Sequence, residues 1–405
     1  MTKDKNLLRI LIICPNFNRT NMRKQPWRYA FELSRHLFKY VSEIRIMTNR
    51  NGASQRDFVV DDIYVHVLKQ SNLRYPTENM ITTILNACAD VIYWFGNSVS
   101  GLYLKQFRQL GIPFVLHISA APFSIKELLR LRYRKLWDCR IDLLSALVPM
   151  NWIVRLLNCE PLKAIVVPSK AIGLRLISLG IHPNKVKFAP LSFCDWNVPS
   201  RTIPEARDLL GLHKEKFMMT YFGGSDTIRG TDIIIRASLS VRNDGETDLL
   251  TVMLLRRETK VADEDELYLQ RLVERYNLAD KIQMVSKILS RDELALYLFA
   301  SDLIVLPFKI VPGEPPLGVL EALSLEKPVV TTDVSGLSEL VTPDRGVLIR
   351  PANADDLAKT VRLLIRSPET RVKLGRNGKN FTSKLGGFED LAKWTLCQLS
   401  EVVSS

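Results

Sequence analysis

Glu321 stands in an otherwise apolar stretch, four residues beyond Leu317 and three beyond Gly318, inside the run SDLIVLPFKIVPGEPPLGVLEALSLEKPVVTTDVSGLSELV that covers Ser301–Val341. The run reads as a buried strand (Leu303–Phe308), a Gly/Pro loop, a helix opened by Pro315-Pro316 and a second strand (Val329–Thr332). Proline suits a first helical turn, where its missing N–H would have no partner. The next free amides, of Leu317 and Gly318, then point out of the helix start. Backbone dipoles leave a partial positive charge there, and Gly318 lets a phosphate come close. Glu321 follows one turn later on the same side, and its carboxylate can accept two hydrogen bonds from a vicinal diol such as a ribose. A plain strand–helix–strand unit explains the apolar pattern of the run. It does not explain Glu321, nor the loop Gly313-Glu314-Pro315-Pro316.

A second constellation lies upstream in Tyr221-Phe222-Gly223-Gly224-Ser225-Asp226-Thr227-Ile228-Arg229-Gly230. A strand ending in two glycines, followed by a cation and a further glycine, can wrap a diphosphate: glycine permits backbone approach and arginine clamps with two parallel N–H bonds. By itself the pattern fits a plain glycine turn with a solvated arginine equally well; its place upstream of the Glu321 loop favours the phosphate. The third feature is His117, which ends the strand Phe114–His117 ahead of Ile118-Ser119-Ala120-Ala121-Pro122. The C-terminal end of a parallel strand is where α/β proteins bind ligands.

Together these residues resemble the family-4 retaining glycosyltransferases (glycosyl transferases group 1), which have the GT-B fold. In that family the second Glu of an E-x(7)-E motif opens "EAMA-x-G-x-PVV", followed by "GG-x-x-E". Here LEALSLEKPVV and Ser335-Gly336-Leu337-Ser338-Glu339 match. The resemblance implies that Glu321 holds the donor ribose and that an earlier Glu touches the transferred sugar. Counting back eight from Glu321 lands on Gly313, with Glu314 one place later. Either the loop is one residue shorter and Glu314 serves, or the sugar contact differs. The stretch Gly223–Gly230 is similar to the "GR-x(4)-KG" diphosphate grip, with Arg229 at the lysine position, but Gly224 stands where the family has arginine, so one of the two cations is missing. His117 corresponds to the histidine that touches the donor sugar. Two further elements depart from the pattern. No glycine precedes Gly52, so the Gly-Gly pair after the first strand is absent and Asn16–Lys24 is polar and basic instead; Leu191-Ser192-Phe193 replaces an "NG" turn.

The elements that must position these groups alternate short apolar runs with amphipathic stretches, the pattern of parallel sheets built from βαβ units. Strands are expected at Leu8–Ile13, Glu43–Thr48, Ile63–Leu68, Val91–Phe95, Phe114–His117 and Ala164–Val167, then at Phe217–Phe222, Leu249–Leu255, Lys281–Val285, Leu303–Phe308 and Pro328–Thr332. A helix after the first strand places Trp27, Ala30, Phe31, Leu37 and Phe38 on one face. Regularity lapses through Ser192–Pro204. The expected organisation is an acceptor-binding Rossmann-like domain over 1–195, a nucleotide-sugar-binding one over 205–380, and a helix in 381–405 that crosses back to the first. The fold class is α/β, GT-B, with two Rossmann-like domains facing across a cleft.

At 405 residues the chain suits two domains. Its six cysteines (Cys14, Cys88, Cys139, Cys159, Cys194, Cys397) show no C-x-x-C pair, which points to a reduced, cytoplasmic compartment. No secretory signal is visible, and the twelve uncharged residues between Asp142 and Arg155 fall short of a membrane span. Residues 1–200 carry 28 Lys+Arg against 13 Asp+Glu, whereas 201–405 carry 28 against 30, so only one half is built to face an anionic partner. Within Ser124–Leu144, Lys126, Arg130 and Arg134 recur every four residues with Trp137 beside them, which suits peripheral contact with an anionic membrane. A stacking-aromatic RNA module is lacking, so nucleic acid is not expected as a partner. The expected activity is retaining transfer of a sugar from a nucleotide-diphosphate-sugar donor to a glycan or lipid-linked acceptor. The resemblance implies no metal and no cofactor, the nucleotide sugar being a substrate. A catalytically silent GT-B scaffold, motivated by Gly224 and the displaced Glu314, and another GT-B enzyme such as a nucleotide-sugar epimerase are the alternatives.

Overall fold

The computed structural model describes residues 6–22, 26–50, 56–70, 73, 76–97, 100–120, 150–193, 196, 200–245, 248–257, 262–311 and 313–404. Two sheets organise them. The first contains β1 (Asn6–Ile13), β2 (Val41–Asn49), β3 (Phe58–Val60), β4 (Ile63–Leu68), β5 (Val91–Gly96), β6 (Phe114–Ile118), β7 (Leu162–Val167) and β8 (Val186–Phe188) in the order β3-β4-β2-β1-β5-β6-β7-β8. All its pairings are parallel except β3 with β4. The second contains β9 (Phe217–Gly223), β10 (Leu249–Leu255), β11 (Ile282–Ser286), β12 (Leu303–Leu306), β13 (Val329–Thr332) and β14 (Gly346–Ile349), all parallel, in the order β11-β10-β9-β12-β13-β14. Strands such as β10 and β12 are buried along their whole length, because helices cover both faces.

In each sheet the chain reverses its direction of growth beside the first strand, between β1 and β5 and between β9 and β12. Such switch points leave a crevice at the C-terminal strand ends, where neighbouring loops part to opposite faces. The two domains present these two crevices to one another, and polar bonds cross between them.

The last helix, Phe388–Ser404, belongs to the first domain's core. Phe388, Leu391, Ala392, Leu399 and Val402 are buried with Tyr29, Ala30, Leu33 and Leu37 of the helix Trp27–Leu37. Where the chain passes between domains its two crossings lie side by side, as Ser192 bridges to Gly386.

Several expectations are corrected. The helix bearing Glu321 is Leu317–Ser324, and Pro315 and Pro316 precede it. A residue followed by proline is pushed out of the α region, and Pro316 itself is extended (φ −71°, ψ 93°). The strand before that loop stops at Leu306 because Pro307 has no N–H to give the ladder. On the first helix the buried face is Tyr29, Ala30, Leu33, Ser34 and Leu37; Phe31 is half-buried and Phe38 follows the helix end. The basic ladder Lys126, Arg130, Arg134 with Trp137 lies outside the described residues. Among the described residues no helix is long and apolar enough to cross a membrane.

Candidate active site

The second domain's half of the site is assembled at the β9/β12 switch point. Gly223, with φ 151°, ends β9, and the turn Thr227–Arg229 follows. Gly230 then takes φ 76°, and a Cβ on it would lie 1.9 Å from the Pro307 carbonyl oxygen, so this turn and the end of β12 are in backbone contact. Tyr221 donates from its hydroxyl to the Gly224 carbonyl (2.7 Å), and Ser225 donates to Asp263 (2.7 Å), which fixes the glycine loop from below. Asp263-Glu264-Asp265 has the letters of a D-x-D metal motif, but Asp263 is used as the cap of the helix Glu264–Arg275, accepting from the Glu266 amide.

Arg229 points along this loop. Its Nε lies 3.6 Å from where a Gly224 Cβ would stand, is buried, and has no hydrogen-bond partner among the described residues. A buried guanidinium donor without an acceptor is costly, and an incoming anion relieves that cost. Lys309, three residues beyond β12, is instead held by Asp232 in a buried ion pair of 2.8 Å. Gly318 sits against the Phe222 ring, where a Cβ would come within 3.2 Å, so the start of the Glu321 helix abuts the end of β9. The first amides of that helix, Leu317 and Gly318, have no preceding turn to bond to.

Glu321 is buried, and its Oε1 accepts from Arg28 Nη1 (2.8 Å) on the first domain's helix Trp27–Leu37. Glu314 is also buried. It accepts from the hydroxyls of Ser335 and Ser169 and from the Gly336 amide (2.8 Å), while its own amide donates to the Ser119 carbonyl (2.7 Å). Burial raises its carboxyl above the ordinary value, and these hydrogen bonds pull the other way. Glu339 accepts from the amides of Lys170 (3.0 Å) and Ala171 (2.7 Å), at the exposed N-terminal end of the helix Lys170–Ser178. Three carboxylates of the second domain therefore reach into the first.

The first domain contributes a cavity of about 200 Å³ at the β1/β5 switch point, lined by Cys14, Pro15, Asn16, Pro26, Trp27, Phe95, Gly96, His117 and Ser119. Asn16 adopts φ 59°, the left-handed turn for which glycine is usual. Its amide donates to Asn49 Oδ1 (2.7 Å) and its Oδ1 accepts from Asn49 Nδ2 (2.8 Å), a side-chain clasp in place of the missing glycines. His117 is packed among Tyr29 (4.9 Å between ring centroids), Phe95 (4.7 Å) and Tyr93, whose hydroxyl is 3.0 Å from Nδ1. Burial pushes its pKa down to about 3, so the imidazole is neutral. Trp27 donates its indole N–H to the Pro15 carbonyl (2.7 Å) and so gives the cavity a ring rather than a polar group.

The structure thus brings Gly223, Gly224, Arg229, Leu317, Gly318 and Glu321 to one switch point, and His117 to the other. Glu314 stands at the seam, its backbone joined to the His117 strand through Ser119. Its carboxylate is turned to Ser335, Gly336 and Ser169. Reading the sequence missed Arg28, Ser119 and Ser169. Nothing in the spacing of the chain ties Arg28 to a carboxylate 293 residues away.

Residues 212–381 match the glycosyl transferases group 1 family model. A D-inositol 3-phosphate glycosyltransferase of Paenarthrobacter aurescens is 26% identical over 202 residues, 49% of this chain and 48% of that protein. The alignment spans about half the length of that curated relative. The fold is that of sucrose-phosphate synthase from Thermosynechococcus elongatus (TM-score 0.75, 16% identity, 98% of this chain and 99% of that one). It is also that of HepE from Anabaena, solved in complex with UDP and glucose (TM-score 0.73, 16% identity, 97% and 99%).

Proposed function

We propose that the chain transfers a sugar from a nucleotide-diphosphate donor, with retention, to a glycan or lipid-linked acceptor, a reading supported by the match of residues 212–381 to the glycosyl transferases group 1 family model and by the GT-B fold. The observation that carries the reading is one group of residues at the β9/β12 switch point. There a buried carboxylate, Glu321, stands one turn into a helix whose start packs on Phe222, at the end of the strand that leads into the glycine loop and Arg229, whose Nε has no hydrogen-bond partner among the described residues. This set answers a ribose diol, then a diphosphate, in that order along the crevice. The UDP and glucose bound by HepE fit the same chemistry.

On this scheme Arg229, the Leu317 and Gly318 amides and the helix dipole take up the charge of the departing diphosphate. The acceptor hydroxyl attacks the anomeric carbon from the side the diphosphate leaves; the carbon–oxygen bond to phosphate breaks, a new one forms, and the hydroxyl proton passes to the phosphate oxygen. Neutral His117 serves as a hydrogen-bonding group for an uncharged sugar hydroxyl.

The test is turnover of nucleotide sugars by the wild type and Glu321→Ala, with the product anomer read by NMR and EDTA present. Glu321→Ala is expected to lose at least about tenfold in donor use, since hydrogen bonds to a charged group are worth roughly 1.5–3 kcal/mol. Unchanged turnover, an inverted product or loss of activity with chelator would each contradict a part of the proposal. The basic excess of residues 1–200 supports an anionic acceptor surface. Salt-reversible co-sedimentation with phosphatidylglycerol vesicles is expected, and failure to sediment at low salt would favour a soluble acceptor.

A further inference from the structure

We infer that Arg28 is a positioning residue for the donor ribose: supplied by the first domain, its guanidinium pairs with the Glu321 carboxylate and holds it aimed, so the ribose site is complete only while the cleft is closed. This rests on the reading of Glu321 as the ribose acceptor.

Glu321 sits on a helix whose other buried residues, Leu317, Val319, Leu320, Ala322, Leu323 and Ser324, offer it no cation. An ionised carboxylate taken out of water needs a partner. The ion pair with Arg28 is itself secluded, the two side chains being 20% and 9% exposed, so it is far less screened than a surface pair. Arg28 Nη1 occupies one lone pair of Oε1 at 2.8 Å, and Oε2 together with the second lone pair of Oε1 has the capacity a vicinal diol requires. Opening the cleft carries Arg28 away with the helix Trp27–Leu37 and leaves the carboxylate without this cation. Further cross-domain bonds among the described residues, from the Glu314 amide to the Ser119 carbonyl, from the Ser169 hydroxyl to the Glu314 carboxylate and from the Lys170 and Ala171 amides to Glu339, hold the same closed arrangement without involving Glu321.

Calorimetry on the full chain tests this. Whichever of UDP, GDP and ADP the wild type binds tightest is compared with its 2′,3′-dideoxy analogue and with inorganic pyrophosphate, for the wild type, Arg28→Ala, Arg28→Lys, Glu321→Ala and the double variant Arg28→Ala/Glu321→Ala. The wild type is expected to prefer the ribose form roughly tenfold or more. Arg28→Ala should reduce that preference to under about threefold while pyrophosphate affinity changes by less than about twofold. Arg28→Lys, which keeps charge but not the planar fork, should recover part of the preference. In the Glu321→Ala background, removing Arg28 should do nothing more, as residues acting through one another are non-additive. Arg28→Gln is measured alongside and is read in place of the alanine form if that form fails to fold. A full wild-type preference in Arg28→Ala overturns the inference. So does an equal loss for pyrophosphate, which would make Arg28 a phosphate ligand. A wild type that binds none of the three diphosphates sinks the proposed function, and this inference with it.

Discussion

His117 shows what a single buried side chain commits the molecule to. Its ordinary pKa of 6.5 falls to about 3 in the fold because burial penalises the imidazolium. Between those values the unfolded chain binds a proton that the native protein does not, so stability falls as pH drops through the window, by up to about 1.4 kcal/mol per pH unit. Urea unfolding between pH 4 and 7 should therefore show a shallower acid limb for His117→Gln than for the wild type; parallel limbs would mean that the histidine is protonated in the fold. At this scale the sequence was readable where a residue type was out of place among its neighbours, as Glu321 is. It was mute where a partner arrives through tertiary structure. Arg28 is one of many cations in a basic half, and only the packing of the helix Trp27–Leu37 brings it to Glu321. Asn16 disguised a left-handed turn in the same way, since asparagine held by a clasp replaces the glycine that would have signalled it.

Elements covered on both faces were legible because burial makes them apolar throughout, and the central strands β1, β5, β9, β10 and β12 all stand near their expected places. The strands that escaped, β3, β8 and β14, lie at sheet edges and are three or four residues long, too short to establish a period. The turn that follows β9 offers a sharper test of how an element serves the site. Gly230 and Gly245 both have positive φ (76° and 87°), but a Cβ would strike Pro307 at Gly230 and meet nothing at Gly245. Gly245→Ala is expected to cost about 1 kcal/mol of stability from backbone strain alone, and Gly230→Ala clearly more. Only the latter should also weaken nucleoside diphosphate binding, because it displaces the Arg229 turn. Thermal midpoints and calorimetry read the two effects separately, and equal behaviour of the two variants would remove the Pro307 contact from the argument.

The molecule as a whole is two crevices held face to face, with the second domain's carboxylates reaching into the first and the last helix tying the first domain to the far end of the chain. Deleting residues 388–405 would uncover Tyr29, Leu33 and Leu37, which are buried against Phe388, Leu391 and Leu399. Losing even two such buried side chains costs roughly 3–6 kcal/mol, a large share of a domain's stability. The truncated chain is expected to show an early melting transition that leaves the 212–381 half folded; a single transition at the wild-type midpoint would mean that the helix contributes little.

That last helix also imposes an order of events on synthesis. A ribosome delivers the first domain's eight strands early, yet the layer that covers one side of them is translated only after the entire second domain has emerged. At roughly 5–20 residues per second, the intervening 200 or so residues take about 10–40 s. For that interval the nascent first domain carries an uncovered apolar groove along the helix Trp27–Leu37 while its neighbour is already free to fold. The early half of the chain is thus the late half to mature, and it is the half that a chaperone, or a sticky neighbour on the same polysome, would meet undressed.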